Sequence, residues 1–121
     1  MEKEIVMKYA NKEIKILMKD SRLAKAICEK LPFKVNVNVW GREIYFEIPV
    51  KSSITDSVIE LEEGDVAYWP DGRCLCFFFG PTPASTGTKP KAAGYVEVVG
   101  RVTSDLKELE KVKSGEEVVI E

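Results

Sequence analysis

Cys74 and Cys76 sit two residues apart in the stretch GDVAYWPDGRCLCFFFGPTP (64–83), a spacing that could do chemistry. On an extended strand both thiols point to the same face, about 7 Å apart in Cα. With Cys28 they make three soft ligands, whereas a structural zinc site usually takes four, on tighter turn-borne spacings. Free cysteines are also among the most buried residue types and pack as small hydrophobes. Core packing is therefore the expectation, with no metal and no cofactor. The chain has no histidine. Ser-His-Asp and Cys-His nucleophile systems and His-ligated metals are thereby excluded. Acid–base work falls to carboxylates, Lys, Tyr or Cys. Glu47, Asp65 and Asp71 could supply it, and a charged surface accounts for each equally well.

The same stretch concentrates aromatic side chains. Tyr68 and Trp69 end one strand, Pro70-Asp71-Gly72 has the chemistry of a turn, and RCLCFFFG returns. Alternation puts Leu75, Phe77 and Phe79 on one face of the returning strand and Cys74, Cys76 and Phe78 on the other. Both faces are apolar, so the strand should be buried on both sides. Trp69, directly before the turn, should be half-buried. The following GPTPASTGTKPKAAG (80–94) reads as a long loop. Its hydroxyls (Thr82, Ser85, Thr86, Thr88) and cations (Lys89, Lys91) are held by Pro81, Pro83 and Pro90. Long ordered loops tend to be functional, but this one lacks the spacing and the helix of a phosphate loop. The expected site is a partly open groove with Trp69 and the loop on one side, Phe79 beneath and Arg73 near its mouth. Its binding residues are expected to be Glu47, Tyr68, Trp69, Arg73, Phe77, Phe79, Pro81, Thr82 and Ser85, with no catalytic residue assigned.

The elements that must position these residues follow from periodicity. Residues 4–9 and 13–18 alternate around an Ala10-Asn11-Lys12 turn and read as a hairpin. Asp20 or Ser21 can cap a helix whose apolar positions Leu23, Ala24, Ile27, Cys28 and Leu31 keep helical spacing, and Pro32 stops it. FKVNVNVW (33–40) alternates as a strand with one wet face. Gly41-Arg42 turns the chain into EIYFEIPV (43–50). Residues 51–63 are a loop or a short strand around Val58–Leu61. YVEVVGRV is a further strand, TSDLKELEKV a second capped helix, and EEVVIE a closing strand. About eight short strands with an early and a late helix suggest a single-domain, closed β-barrel plugged at each end by a helix.

Composition sets the outer bounds. A chain of 121 residues, 45% hydrophobic and 31% charged, can bury one core without staples. Its 18 basic and 20 acidic residues give a mixed surface, not the positive excess that nucleic acid demands. No apolar run is long enough to span a bilayer, and the N-terminus shows no signal-peptide core. A cytoplasmic protein without a membrane or nucleic-acid partner is expected. The absence of glutamine, the scarcity of asparagine and the weight of Lys and Glu suggest a thermophilic prokaryote.

The order of elements, with Gly64-Asp65-Val66-Ala67 leading into the aromatic strand and VVGRV after the long loop, resembles the cyclophilins. The stretch GDVAYWPDGRCLCFFFGPTP more specifically resembles a small prokaryotic cyclophilin-like family of unknown function. The resemblance covers essentially the whole chain and implies an eight-stranded barrel with two helices. It does not imply prolyl isomerase activity. The isomerases place an arginine on a strand whose counterpart here, Tyr45-Phe46-Glu47-Ile48-Pro49, has none; their Gln, Trp and His pocket residues also lack clear matches. The leading expectation is a binding module for a small molecule or an extended peptide. The alternatives are a degenerate isomerase, a hydrolase working with carboxylates, or an interaction protein that forms homo-oligomers through exposed aromatics.

Overall fold

A computed structural model describes residues 1–121. Its elements in chain order are β1 (Lys3–Tyr9), β2 (Lys12–Met18), α1 (Arg22–Glu29), β3 (Phe33–Asn36), β4 (Asn38–Val39) and β5 (Glu43–Glu47). There follow β6 (Ser57–Glu60), β7 (Asp65–Trp69), β8 (Cys74–Phe78), β9 (Lys91–Val102), a 3-10 helix (Leu106–Lys111) and β10 (Glu117–Ile120).

The opening hairpin follows its alternation. Ile5 faces Ile16 and Met7 faces Ile14 across the ladder, all four buried, so the pairing register is the one that drives a single apolar face inward. Helix α1 begins at Ser21, whose Oγ accepts from the Ala24 amide at 3.3 Å. It buries Leu23, Ala24 and Ile27, a stripe one helical turn apart.

All ten strands belong to one antiparallel sheet in the order β3-β10-β1-β2-β9-β7-β8-β5-β4, with β6 on β9. Eight strands in a closed ring were the expectation; the hydrogen-bonded path is open and its ends are β3 and β4. The reason lies at Val37. The segment 33–39 changes partner there: β3 pairs with β10, the Val37 amide and carbonyl engage Glu116 and Gly115, and β4 pairs with β5. Covalent chain, not a ladder, joins the two ends.

The second helix is also different from expectation. It is a six-residue 3-10 helix, and Leu106, Leu109 and Val112 pack inward at intervals of three residues. That spacing matches three residues per turn and would drift off one face of an α-helix. The loop after β8 is shorter than expected, because β9 already starts at Lys91.

The sheet has apolar packing on both faces. A cluster of 25 buried residues, including Tyr68, Leu75, Phe77 and Phe79, forms the main core; Phe46 and Phe77 pack there with ring centroids 5.8 Å apart. A second cluster of seven (Leu61, Ala67, Cys74, Cys76, Phe78, Ala92, Val96) lies against the other face of β7 and β8. Strand β8 is buried at all five positions, as its two apolar faces require. Strand β9 serves both clusters because the ladder with β7 slips between Val66 and Ala67. The bulge lets Val99 face the main core while Val96 and Ala92 face the second cluster.

Candidate functional site

A pocket of about 130 Å³ opens beside the second cluster. Register and alternation assemble it. On β5 and β8 the pairs Glu43–Phe78 and Tyr45–Cys76 stand opposite one another, so these four side chains share a face. Trp69 of β7 pairs with Cys74 and enters from the side, and Ala92, Ala93 and Val96 of β9 close the far wall. Trp40 completes the lining through the turn before β5. The Trp40 and Glu43 backbones exchange two hydrogen bonds, of 2.9 and 3.1 Å, around Gly41 and Arg42. Gly41 adopts φ +59°, and a Cβ there would lie 2.8 Å from Pro83 Cδ. A residue without a side chain is needed on both counts. The segment 79–90 docks on this turn through Arg42 N–H to Pro81 carbonyl (3.0 Å) and Phe79 N–H to Arg42 carbonyl (2.9 Å).

Trp69 is half-buried, and two glycines permit its position. A Cβ on Gly72 would meet the indole ring at 2.7 Å, and one on Gly94 would lie 3.2 Å from Nε1. The Trp69 indole N–H nevertheless has no hydrogen-bond acceptor.

Glu43 is the other residue of the pocket with an unpaired polar atom. It is 6% exposed, lines the pocket, and its Oε1 has no donor. Burial pushes its carboxyl up to about 7, against the opposing pull of the Cys76 thiol. The same burial raises Cys74 and Cys76 above the ordinary thiol range, reinforced by the neighbouring carboxylates. Both are thiols, not thiolates, at neutral pH, and therefore poor nucleophiles. No group of three or more His, Cys, Asp or Glu side chains is placed to hold a metal ion; Cys28 packs against the main core, away from the other two.

The structure separates the residues that the sequence put in one groove. Trp69 lines the pocket, and the segment that follows the loop, Ala92 to Gly94, folds back beside it. Phe77 and Phe79 do not line it: their face of β8 is the main-core face. Phe78 and Cys76, on the opposite face, take that place. Tyr68 is fully buried, and its hydroxyl donates to the Val50 carbonyl (2.6 Å) and accepts from the Ser52 amide (3.3 Å), pinning the segment after β5. Glu47 and Arg73 line a separate hollow with Ile48 to Lys51, and Arg73 occupies a left-handed position, φ +52°. Pro81 lies in another hollow with Arg42 and Leu106. Thr82 and Ser85 hold the loop's own shape: Thr82 Oγ1 donates to the Lys91 carbonyl (2.5 Å), and Ser85 Oγ to the Lys89 carbonyl (2.8 Å). Trp40, Glu43 and Tyr45 line the pocket in addition to the residues expected from sequence. One signal was present, a carboxylate on the β5 face that alternation aligns with Tyr45.

An antiparallel, mainly β fold with this element order defines a class, and comparison with known proteins agrees. The family model described as Cyclophilin-like matches residues 3–121. The chain belongs to the cyclophilin-like family. It is similar to the solution structure of a hypothetical protein from Archaeoglobus fulgidus, with 35% identity and a TM-score of 0.83. The alignment covers 99% of this chain and 94% of that one. Comparison with curated proteins finds no match. No helix is long and apolar enough to cross a membrane.

Proposed function

We propose that this protein is a binding module for a small molecule, held in the pocket between Trp40, Tyr45, Trp69 and Phe78. The observation that carries the reading is the pair of unpartnered buried polar atoms, Glu43 Oε1 and Trp69 Nε1, on two residues that line an otherwise apolar pocket. Leaving such groups unpaired costs free energy, on the order of 1–3 kcal/mol each. A ligand with complementary polar atoms would recover it.

Size favours a small molecule over an extended peptide. A pocket of about 130 Å³ is close to the roughly 150 Å³ cavity that accepts benzene and well below pockets for drug-sized ligands. It holds one ring or a compact branched group. Prolyl isomerisation is not part of this reading, because the strand Tyr45-Phe46-Glu47-Ile48-Pro49 carries no arginine. A screen of one-ring fragments, followed by the two indole N–H resonances in an amide-correlation spectrum, tests the proposal. Saturable shifts of those resonances, abolished by filling the pocket with Ala92→Phe, are expected. Fragments that bind elsewhere, or none that bind, would refute it.

A further inference from the structure

Resting on that reading of the pocket, we infer that its ligand is a small organic cation of the alkylammonium class. The cation would sit against the aromatic walls with its charge toward Glu43. Four of the residues lining the pocket are aromatic, Trp40, Tyr45, Trp69 and Phe78, and none is a lysine or an arginine. Aromatic faces carry the negative end of a quadrupole and attract cations, most strongly when water is excluded. Glu43 is 94% buried, counted from its 6% exposure, lines the same space and carries an oxygen with no donor.

The groups around Glu43 offer it no positive charge. Phe78 stands opposite it on β8, Trp40 across the turn, and Tyr45 two residues along β5. The ionisable groups on these elements are the Tyr45 phenol, the Cys74 and Cys76 thiols and the Glu47 carboxylate, none of which can be cationic. Arg42, next in sequence, is paired with Glu110. The Asp71 carboxylate and Trp69 Nε1 both lie within 4 Å of the place a Gly94 Cβ would take, which adds a second acid near the indole. Among the residues that line the pocket an anionic ligand meets only like charge, and the cation next to its far wall is Lys91, which precedes Ala92 on β9. A cation supplies the counter-charge that a buried carboxylate requires.

Tetramethylammonium is the probe, since it is permanently charged and carries no proton of its own. The neutral comparison is tert-butanol. Titration followed on the indole N–H resonances is expected to saturate with tetramethylammonium and to give an affinity at least about tenfold weaker in Glu43→Gln, the scale of a lost charge-assisted contact. Calorimetry at pH 7 in two buffers of different ionisation enthalpy is expected to show protons released on binding, because the cation ionises Glu43. Release should vanish in Glu43→Gln, whose melting curve confirms that it is folded. Equal binding of tert-butanol and tetramethylammonium, with no effect of Glu43→Gln, would overturn the cation inference and leave a small-molecule pocket. If neither probe nor any one-ring fragment moves the indole resonances, both readings fall.

Discussion

Glu43 makes the stability of this protein depend on pH in a window where few other groups titrate. Its carboxyl is raised from 4.5 to about 7 by burial. The folded state therefore holds that proton more tightly than the unfolded chain does. The sign follows: the contribution is complete below the unfolded value of 4.5 and is lost as pH rises through about 7. At about 1.4 kcal/mol per pKa unit, the loss approaches roughly 3 kcal/mol by pH 8. Glu43→Gln removes the titrating group while keeping its shape. All other ionisable groups are common to both proteins, so they cancel in the difference. The expected outcome is that Glu43→Gln gains about 3 kcal/mol relative to wild type between pH 4 and pH 8. In guanidinium unfolding this is a relative midpoint shift of about 1 M for a domain of this size. Parallel stability profiles for the two proteins would refute the argument, showing that the Glu43 carboxyl is solvated or already paired.

Other outcomes follow from the same geometry. Gly72→Ala should destabilise by about 1–3 kcal/mol, because its Cβ meets the Trp69 ring at 2.7 Å; an unchanged midpoint would mean that the indole has room to move. Cys74→Ala with Cys76→Ala should lower stability by on the order of 1 kcal/mol per site while the protein still folds. Unfolding of the wild type by a chelator would point instead to a metal site. Arg73→Gly should be neutral or stabilising by up to about 1 kcal/mol, since Arg73 holds φ +52° at an exposed turn. A clear loss of stability in chemical denaturation would assign its side chain a structural role.

Local pattern determined much of this molecule. The β1–β2 hairpin, helix α1 from Ser21, the Pro70–Gly72 turn and the doubly buried β8 are all legible because each depends on the sequence within a few residues of itself. The half-burial of Trp69 follows in the same way from its place before a turn. Tertiary structure decided what local pattern leaves symmetric. Alternation separates Phe77 and Phe79 from Cys76 and Phe78 but does not say which pair faces the larger core. That choice comes from the elements packed on each side, with Phe46 and Val99 on one and Ala92 and Val96 on the other. The change of partner at Val37, the bulge that turns β9 toward both faces and the approach of Trp40 to Glu43 are likewise long-range or turn-specific pairings. The burial of Glu43 depends on all of them together. A glutamate in sequence is a charge in water, and only the walls that close around it bury it.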